Sequence, residues 1–264
     1  MTELAGGKLR LDEPAAGVAR LTISNPDRRG ALDHDILDGI AGVARELDAR
    51  CLVITGTGSV FSAGYDLGNL EEGKFERSAS ELVAHPFHEA IGALDAYDYP
   101  VIAQLNGHAI GGGLELALSC DIRVAAQGIK LGMPPAKLGL IYSHTGLRKF
   151  VDACGVANTS ELFFSGRNVD AARAARMGLL NEVVAPERLE GHVDDLAREI
   201  ASNAPLSLAG NKRILRTLRE HAAKLPPDVE AELIELRESC FGSEDFREGV
   251  RAFAEKRAPA WKGR

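Results

Sequence analysis

Two short runs of this chain are apolar almost without interruption: Cys51-Leu52-Val53-Ile54-Thr55 and Val101-Ile102-Ala103-Gln104-Leu105. A strand with one face in water alternates apolar and polar residues, whereas a strand buried on both faces does not. Such strands require a sheet covered by helices on both sides, which means a parallel sheet and crossover connections. The segment between and around them supplies the helices. Residues 33–48 place Ile36, Leu37, Ile40, Val43, Ala44 and Leu47 at helical spacing, with Asp33 able to cap the start. A second helical stretch is expected over 81–94, ended by Tyr99-Pro100.

The rest of the N-terminal part follows suit. Val18 to Ile23 alternates as a half-buried strand and ends on Asn25-Pro26-Asp27. Gly111-Gly112-Gly113 opens a short helix over 114–119, and 122–126 reads as a further strand. From Leu147 onward the pattern is almost wholly helical, over 147–154, 158–164, 170–178, 187–203, 205–220, 228–241 and 245–256. The expectation is an α/β core over residues 1–200 followed by a helical appendage over 201–264.

Composition narrows the function. Hydrophobic residues make up 45% and charged residues 26% of the 264, an ordinary globular balance, and the formal charge of −7 speaks against a nucleic-acid surface. No run of 18 apolar residues and no apolar leader segment is present, so no membrane span is expected. Cys51, Cys120, Cys154 and Cys240 are widely spaced and form no C-x-x-C pair. Buried free thiols in a reducing, cytoplasmic compartment are the expectation. His85 and His88 form an H-x-x-H, but further metal ligands are lacking, and a polar helix face is expected there.

Two glycine-centred segments carry the chemistry. Phe61-Ser62-Ala63-Gly64-Tyr65-Asp66-Leu67 follows the strand at 51–55, and Asn106-Gly107 through Gly111-Gly112-Gly113-Leu114-Glu115-Leu116-Ala117 follows the strand at 101–105. Both lie at the carboxyl ends of strands, where open α/β sheets place ligands. A glycine triplet before a helix frees backbone N–H donors at a positive helix end, and it also permits close helix–strand packing. There is no P-loop, no G-x-S-x-G and no H-E-x-x-H.

Together with Pro100-Val101-Ile102-Ala103, Cys120-Asp121-Ile122, Leu138-Gly139, the 175–184 segment, Glu248-Gly249 and Ala252-Phe253 with Lys256-Arg257, these segments resemble the crotonase (enoyl-CoA hydratase/isomerase) superfamily over about residues 16–257. The resemblance implies a spiral of βαβ units with a C-terminal helical region, an acyl-CoA thioester as substrate, and a trimer or dimer of trimers. It implies that the backbone N–H groups of Tyr65 and Gly112 hold the thioester oxygen as enolate charge develops. The backbone around Ala63 and Leu67 would receive the adenine, Arg29 would approach the CoA phosphates or remain a solvated surface charge, and Phe253 and Lys256 would reach CoA, often across a subunit boundary. No separate cofactor is expected, because CoA is part of the substrate.

The hydratases of the superfamily resemble one another in two catalytic glutamates. One matches Glu115; the position of the other holds Pro135 in Gly132-Met133-Pro134-Pro135-Ala136-Lys137-Leu138-Gly139. Proline transfers no proton, so one of two acid/base groups is missing. The next segment has Tyr142 where hydratases have proline. This combination is similar to the bacterial methylmalonyl-CoA decarboxylases, which tend to carry His where this chain has Tyr65. The resemblance implies decarboxylation of a malonyl-type thioester, with Tyr142 orienting the carboxylate, unless it is a loop aromatic packed on the core, and Glu115 ordering a water or Tyr142 or remaining as a relic of the helix. His144 either joins this pocket or sits on the surface. An enoyl-CoA hydratase or isomerase is the alternative within the superfamily; a non-catalytic acyl-CoA-binding protein is the alternative outside it, against which Glu115 and the paired glycine segments argue.

Overall fold

The computed structural model describes residues 1–66, 86–222 and 224–264. A seven-stranded sheet runs in the order β1-β2-β3-β4-β6-β8-β11, with β1 Thr2–Leu4, β2 Leu9–Ala15, β3 Val18–Ile23, β4 Cys51–Gly56, β6 Val101–Leu105, β8 Ile122–Ala126 and β11 Glu182–Val184. From β3 to β11 every pairing is parallel; β1 to β3 form an antiparallel edge. Every residue of β4 and β6 is buried, as their continuous apolar character demands. Two polar side chains lie within them: Thr55 pairs with Gln104, and its hydroxyl donates to the Gln104 backbone carbonyl at 2.9 Å, while the Gln104 side-chain oxygen is buried without a partner.

A second sheet, in the order β10-β9-β7-β5, comprises β10 Val169–Asp170, β9 Lys130–Gly132, β7 His108–Ile110 and β5 Val60–Ser62. Strands β4 and β5, then β6 and β7, then β8 and β9 repeat one scheme: a strand in the large sheet is followed by a strand in the small one. That repetition is the spiral of the α/β fold. The almost wholly helical pattern expected beyond Leu147 is interrupted by two short strands, β10 and β11. Strands of two and three residues are shorter than the alternation that reveals them.

The helices are α1 His34–Glu46, α2 Pro86–Ala96, α3 Gly112–Leu118, α4 His144–Ser165, α5 Ala171–Met177, α6 Leu189–Ser202, α7 Pro205–Ala222, α8 Pro227–Phe241 and α9 Glu244–Ala254. Side-chain caps set several starts: Asp33 accepts from the Ile36 N–H, Ser143 from Gly146, Asp170 from Arg173 and Ser243 from Phe246. The two helices expected over 147–154 and 158–164 are the halves of α4, separated by non-helical Gly155. The part of the expected 81–94 helix before Pro86, including His85, lies outside the described residues. His88 is exposed. All four cysteines are buried and free, and burial pushes the thiols of Cys51 and Cys120 up to about 12. Among the described residues no helix is long and apolar enough to cross a membrane.

Helix α9 is held against the rest of the chain by backbone. A Cβ on Gly249 would lie 2.5 Å from the Leu138 carbonyl, and one on Gly139 would lie 2.7 Å from the Asp245 oxygen. Leu138-Gly139 and Glu248-Gly249 are therefore the two sides of one contact. Gly249→Val should force α9 away and cost about 1–3 kcal/mol. Gly42→Ala, in α1 with nothing within 4 Å of the added carbon, should instead stabilise by about 0.5–1 kcal/mol. Urea unfolding of both variants checks the pair; equal effects would show that the glycine contact is not close.

Candidate active site

The two glycine segments meet through β5 and β7, which pair in parallel. Asn106 ties the preceding turns together: its carbonyl oxygen accepts from the Gly56 N–H and its amide donates to the Gly58 carbonyl, each at 2.9 Å. Ser62 accepts from the Gly64 N–H at 3.1 Å and donates to the Gly30 carbonyl at 2.8 Å. Gly64 has φ +93°, a conformation that disfavours any side chain. A Cβ there would lie 2.8 Å from the Ile110 oxygen and 3.0 Å from the Gly112 nitrogen, and one on Gly113 would lie 2.5 Å from the Ser62 oxygen. Any larger residue separates the two segments.

This contact brings two backbone donors together. Leu32 forms a parallel bridge with Tyr65, through its N–H to the Gly64 carbonyl at 2.8 Å and the Asp66 N–H to its own carbonyl at 3.1 Å. The N–H of Tyr65 therefore faces the other side. Gly112 is the first residue of α3, and its N–H has no acceptor within the helix. Among the described residues neither N–H is paired.

Glu115 projects from α3 and is buried. The Tyr142 hydroxyl donates to its carboxyl group. Tyr142 precedes α4, whose Ser143 cap fixes the entry of the chain, and its ring meets the edge of Phe163 at 5.3 Å. A Cβ on Gly146 would lie 2.6 Å from the Tyr142 ring and 2.9 Å from a Glu115 oxygen, so the first turn of α4 packs on both. Burial raises the Glu115 carboxyl above the ordinary glutamate range; the Tyr142 hydroxyl, then the charges of Lys149 and Arg237, act in the opposite sense without cancelling it. Burial likewise raises the Tyr142 and Tyr65 phenols well above the usual value, so both remain donors. Pro135 is buried and opens a 3-10 turn, Pro135–Leu138.

Glu115 and Tyr142 line a cavity of about 910 Å³ whose walls include Phe87, Ile91, Leu147 and Leu233. His144 lines it as well and pairs with Glu230 at 3.4 Å, which joins the start of α4 to α8. Arg29 is exposed, and its carbonyl accepts from the Ala63 N–H at 3.1 Å, so the two lie side by side on the surface. Leu67 lies outside the described residues. Phe253 and Lys256 are exposed at the end of α9 and share no hydrogen bond or ion pair with the site among the described residues. Sequence patterns did not reveal Arg237, a half-buried cation on α8 whose ring partner is Phe241 at 5.5 Å. Nor did they reveal the Tyr65 phenol, whose ring lies 3.1 Å from where a Gly112 Cβ would be.

The sign of the Glu115 shift gives a stability prediction. A carboxyl raised on folding carries no penalty below its unfolded pKa, and stability is lost as pH rises through the folded value. Glutamine does not titrate. The stability of Glu115→Gln relative to wild type should therefore increase between about pH 4 and about pH 8. Urea unfolding at both values measures it, and an unchanged difference would remove the perturbation.

Against this geometry the comparisons fall into one pattern. The family described as enoyl-CoA hydratase/isomerase matches residues 13–264. The chain is 36% identical to the carnitinyl-CoA dehydratase of Salmonella typhi, over 82% of this chain and 83% of that protein. It is 31% identical to the 2,3-dehydroadipyl-CoA hydratase of Escherichia coli (strain K12), over 94% and 96%. A methylmalonyl-CoA decarboxylase solved in complex with 2-nitronate-propionyl-CoA superposes with a TM-score of 0.89 at 28% identity, covering 97% of this chain and 99% of that one. The chain, with its spiral core and its paired glycine segments, belongs to the enoyl-CoA hydratase/isomerase family.

Proposed function

We propose that the protein decarboxylates methylmalonyl-CoA or a similar malonyl-type thioester. The observation that carries this reading is the Tyr142 phenol bonded to the buried Glu115 on the cavity wall. The resemblance adds that Pro135 stands in the sequence where hydratases have their second acid/base group. The similarity to methylmalonyl-CoA decarboxylase over nearly the whole chain supports it. The thioester oxygen binds between the N–H groups of Tyr65 and Gly112, with Ala63, Leu67, Arg29, Phe253 and Lys256 toward the CoA end. Tyr142 holds the carboxylate with its C–C bond perpendicular to the thioester plane. The electrons of that bond then flow toward an oxygen already met by two donors. A Glu115 carboxyl raised by burial repels the substrate carboxylate less than an ordinary glutamate would.

Hydration of an enoyl-CoA is the second reading. It is favoured by the retained, buried Glu115 and by the similarity to a carnitinyl-CoA dehydratase. Release of CO₂ from methylmalonyl-CoA, without added cofactor, separates the two. Tyr142→Phe should lower kcat/KM about ten- to hundredfold, more than Glu115→Gln does. Crotonyl-CoA should be hydrated about 10²–10⁴-fold more slowly than by an enzyme with two acid/base groups. A wild type that releases no CO₂ from any malonyl-type thioester defeats the assignment. Rapid hydration of crotonyl-CoA that depends on Glu115 would return that residue to acid/base chemistry.

The same proposal includes a homo-oligomer, a trimer or a dimer of trimers. Helix α7 has no buried residue, and Leu206, Leu215 and Leu218 are 90%, 63% and 63% exposed. In α9, by contrast, Phe246 is buried and Val250 packs against it and Phe241. Sedimentation at micromolar concentration should give a species of at least three chains; a stable monomer would exclude it.

A further inference from the structure

In the decarboxylation proposed above, we infer that the Tyr65 phenol delivers the proton to the α-carbon and is recharged from Glu115 through Tyr142. Three observations carry this. The Tyr65 ring rests on Gly112, with its Cζ 3.1 Å from a Cβ built there, and Phe87 holds it edge-on at 5.0 Å. The phenol thus belongs to the same turn as the two N–H donors, and the α-carbon is one bond from the carbonyl carbon they would hold. The phenols of Tyr65 and Tyr142 lie near enough for each to perturb the other. Tyr142 in turn is bonded to Glu115, which reaches the cavity.

The proton count fits this chain. Breaking the C–C bond expels CO₂ and leaves its electron pair in the enolate. Forming the new C–H bond consumes one proton. A phenol is a far stronger acid than the α-carbon of a thioester, so Tyr65 can supply it. While the carboxylate is bound, the Tyr142 hydroxyl faces it. Once CO₂ has left, that hydroxyl is free to turn to Tyr65. The Tyr65 proton passes to carbon, the Tyr142 proton to Tyr65, and the Glu115 proton to Tyr142. The chain ends with Glu115 ionised and re-protonated from water in the cavity. Burial favours the starting state in which Glu115 holds its proton. A ring kept only for packing would be equally well served by phenylalanine.

The test uses the full chain and a thioester without a carboxylate to lose. Run backwards, the Tyr65 phenolate removes an α-proton, so wild type should exchange the α-hydrogens of propionyl-CoA for deuterium in D₂O. Tyr65→Phe should slow this exchange about 10²-fold, lower CO₂ release from methylmalonyl-CoA by a smaller factor, and change propionyl-CoA binding less than about threefold, since ring and N–H remain. Exchange in Tyr65→Phe within about twofold of wild type, or no exchange by wild type, overturns the inference. Exchange that depends on Tyr65 in a protein that decarboxylates nothing would keep the donor and discard the decarboxylase.

Discussion

The site depends on one backbone contact, the meeting of Ser62-Ala63-Gly64 with Ile110 to Gly113. Segments that pack on one another outside a hydrogen-bonded ladder ordinarily keep side chains between their main chains. Here a methyl group on Gly64 or Gly113 would fall within about 3 Å of a carbonyl oxygen or a nitrogen across the contact. Only this approach puts the N–H of Tyr65 beside that of Gly112. Much of the surrounding sequence serves to hold it. Asn106 fastens the 56–60 turn, Ser62 bonds both Gly30 and Gly64, and Leu32 bridges Tyr65. Donors fixed in this way need no reorganisation when charge develops on an oxygen between them.

A second level of organisation lies in what surrounds Glu115. Its oxygens meet Tyr142 and the first turn of α4, whose Gly146 leaves room for both. The segment that carries Tyr142 is in turn seated on α9 through the Gly139–Gly249 contact. The C-terminal helices are therefore part of the site's support. Their tail reinforces this: Arg257 makes ion pairs with Glu248 at 2.5 Å and Glu255, and the Arg264 carbonyl accepts from the Glu244 N–H at 2.7 Å. Arginine beside it and the Ala260 N–H hold the Glu248 carboxyl down to about 2.

How much of this the sequence reveals depends on whether a residue's role is local. The buried strands at 51–55 and 101–105 are legible because burial on both faces is written in consecutive residues. The helix cap at Asp33 follows a local rule as well. The strands of the small sheet are two or three residues long and exist only because a neighbour pairs with them, so no window of sequence contains their signal. Tyr65, Gly112, Glu115 and Tyr142 were found through motifs, and the structure brings all four within one cluster. The Tyr65 phenol and Arg237 escaped, because their positions depend on ring packing against Gly112 and on how α8 folds back.

The state of Glu115 follows from its surroundings. Burial acts on it most strongly, and Tyr142, Lys149 and Arg237 act in the opposite sense. Burial prevails, so the carboxyl lies above the ordinary glutamate range. Burial also keeps the phenols of Tyr65 and Tyr142 protonated, and with two backbone N–H groups nearby the cluster is rich in hydrogen-bond donors.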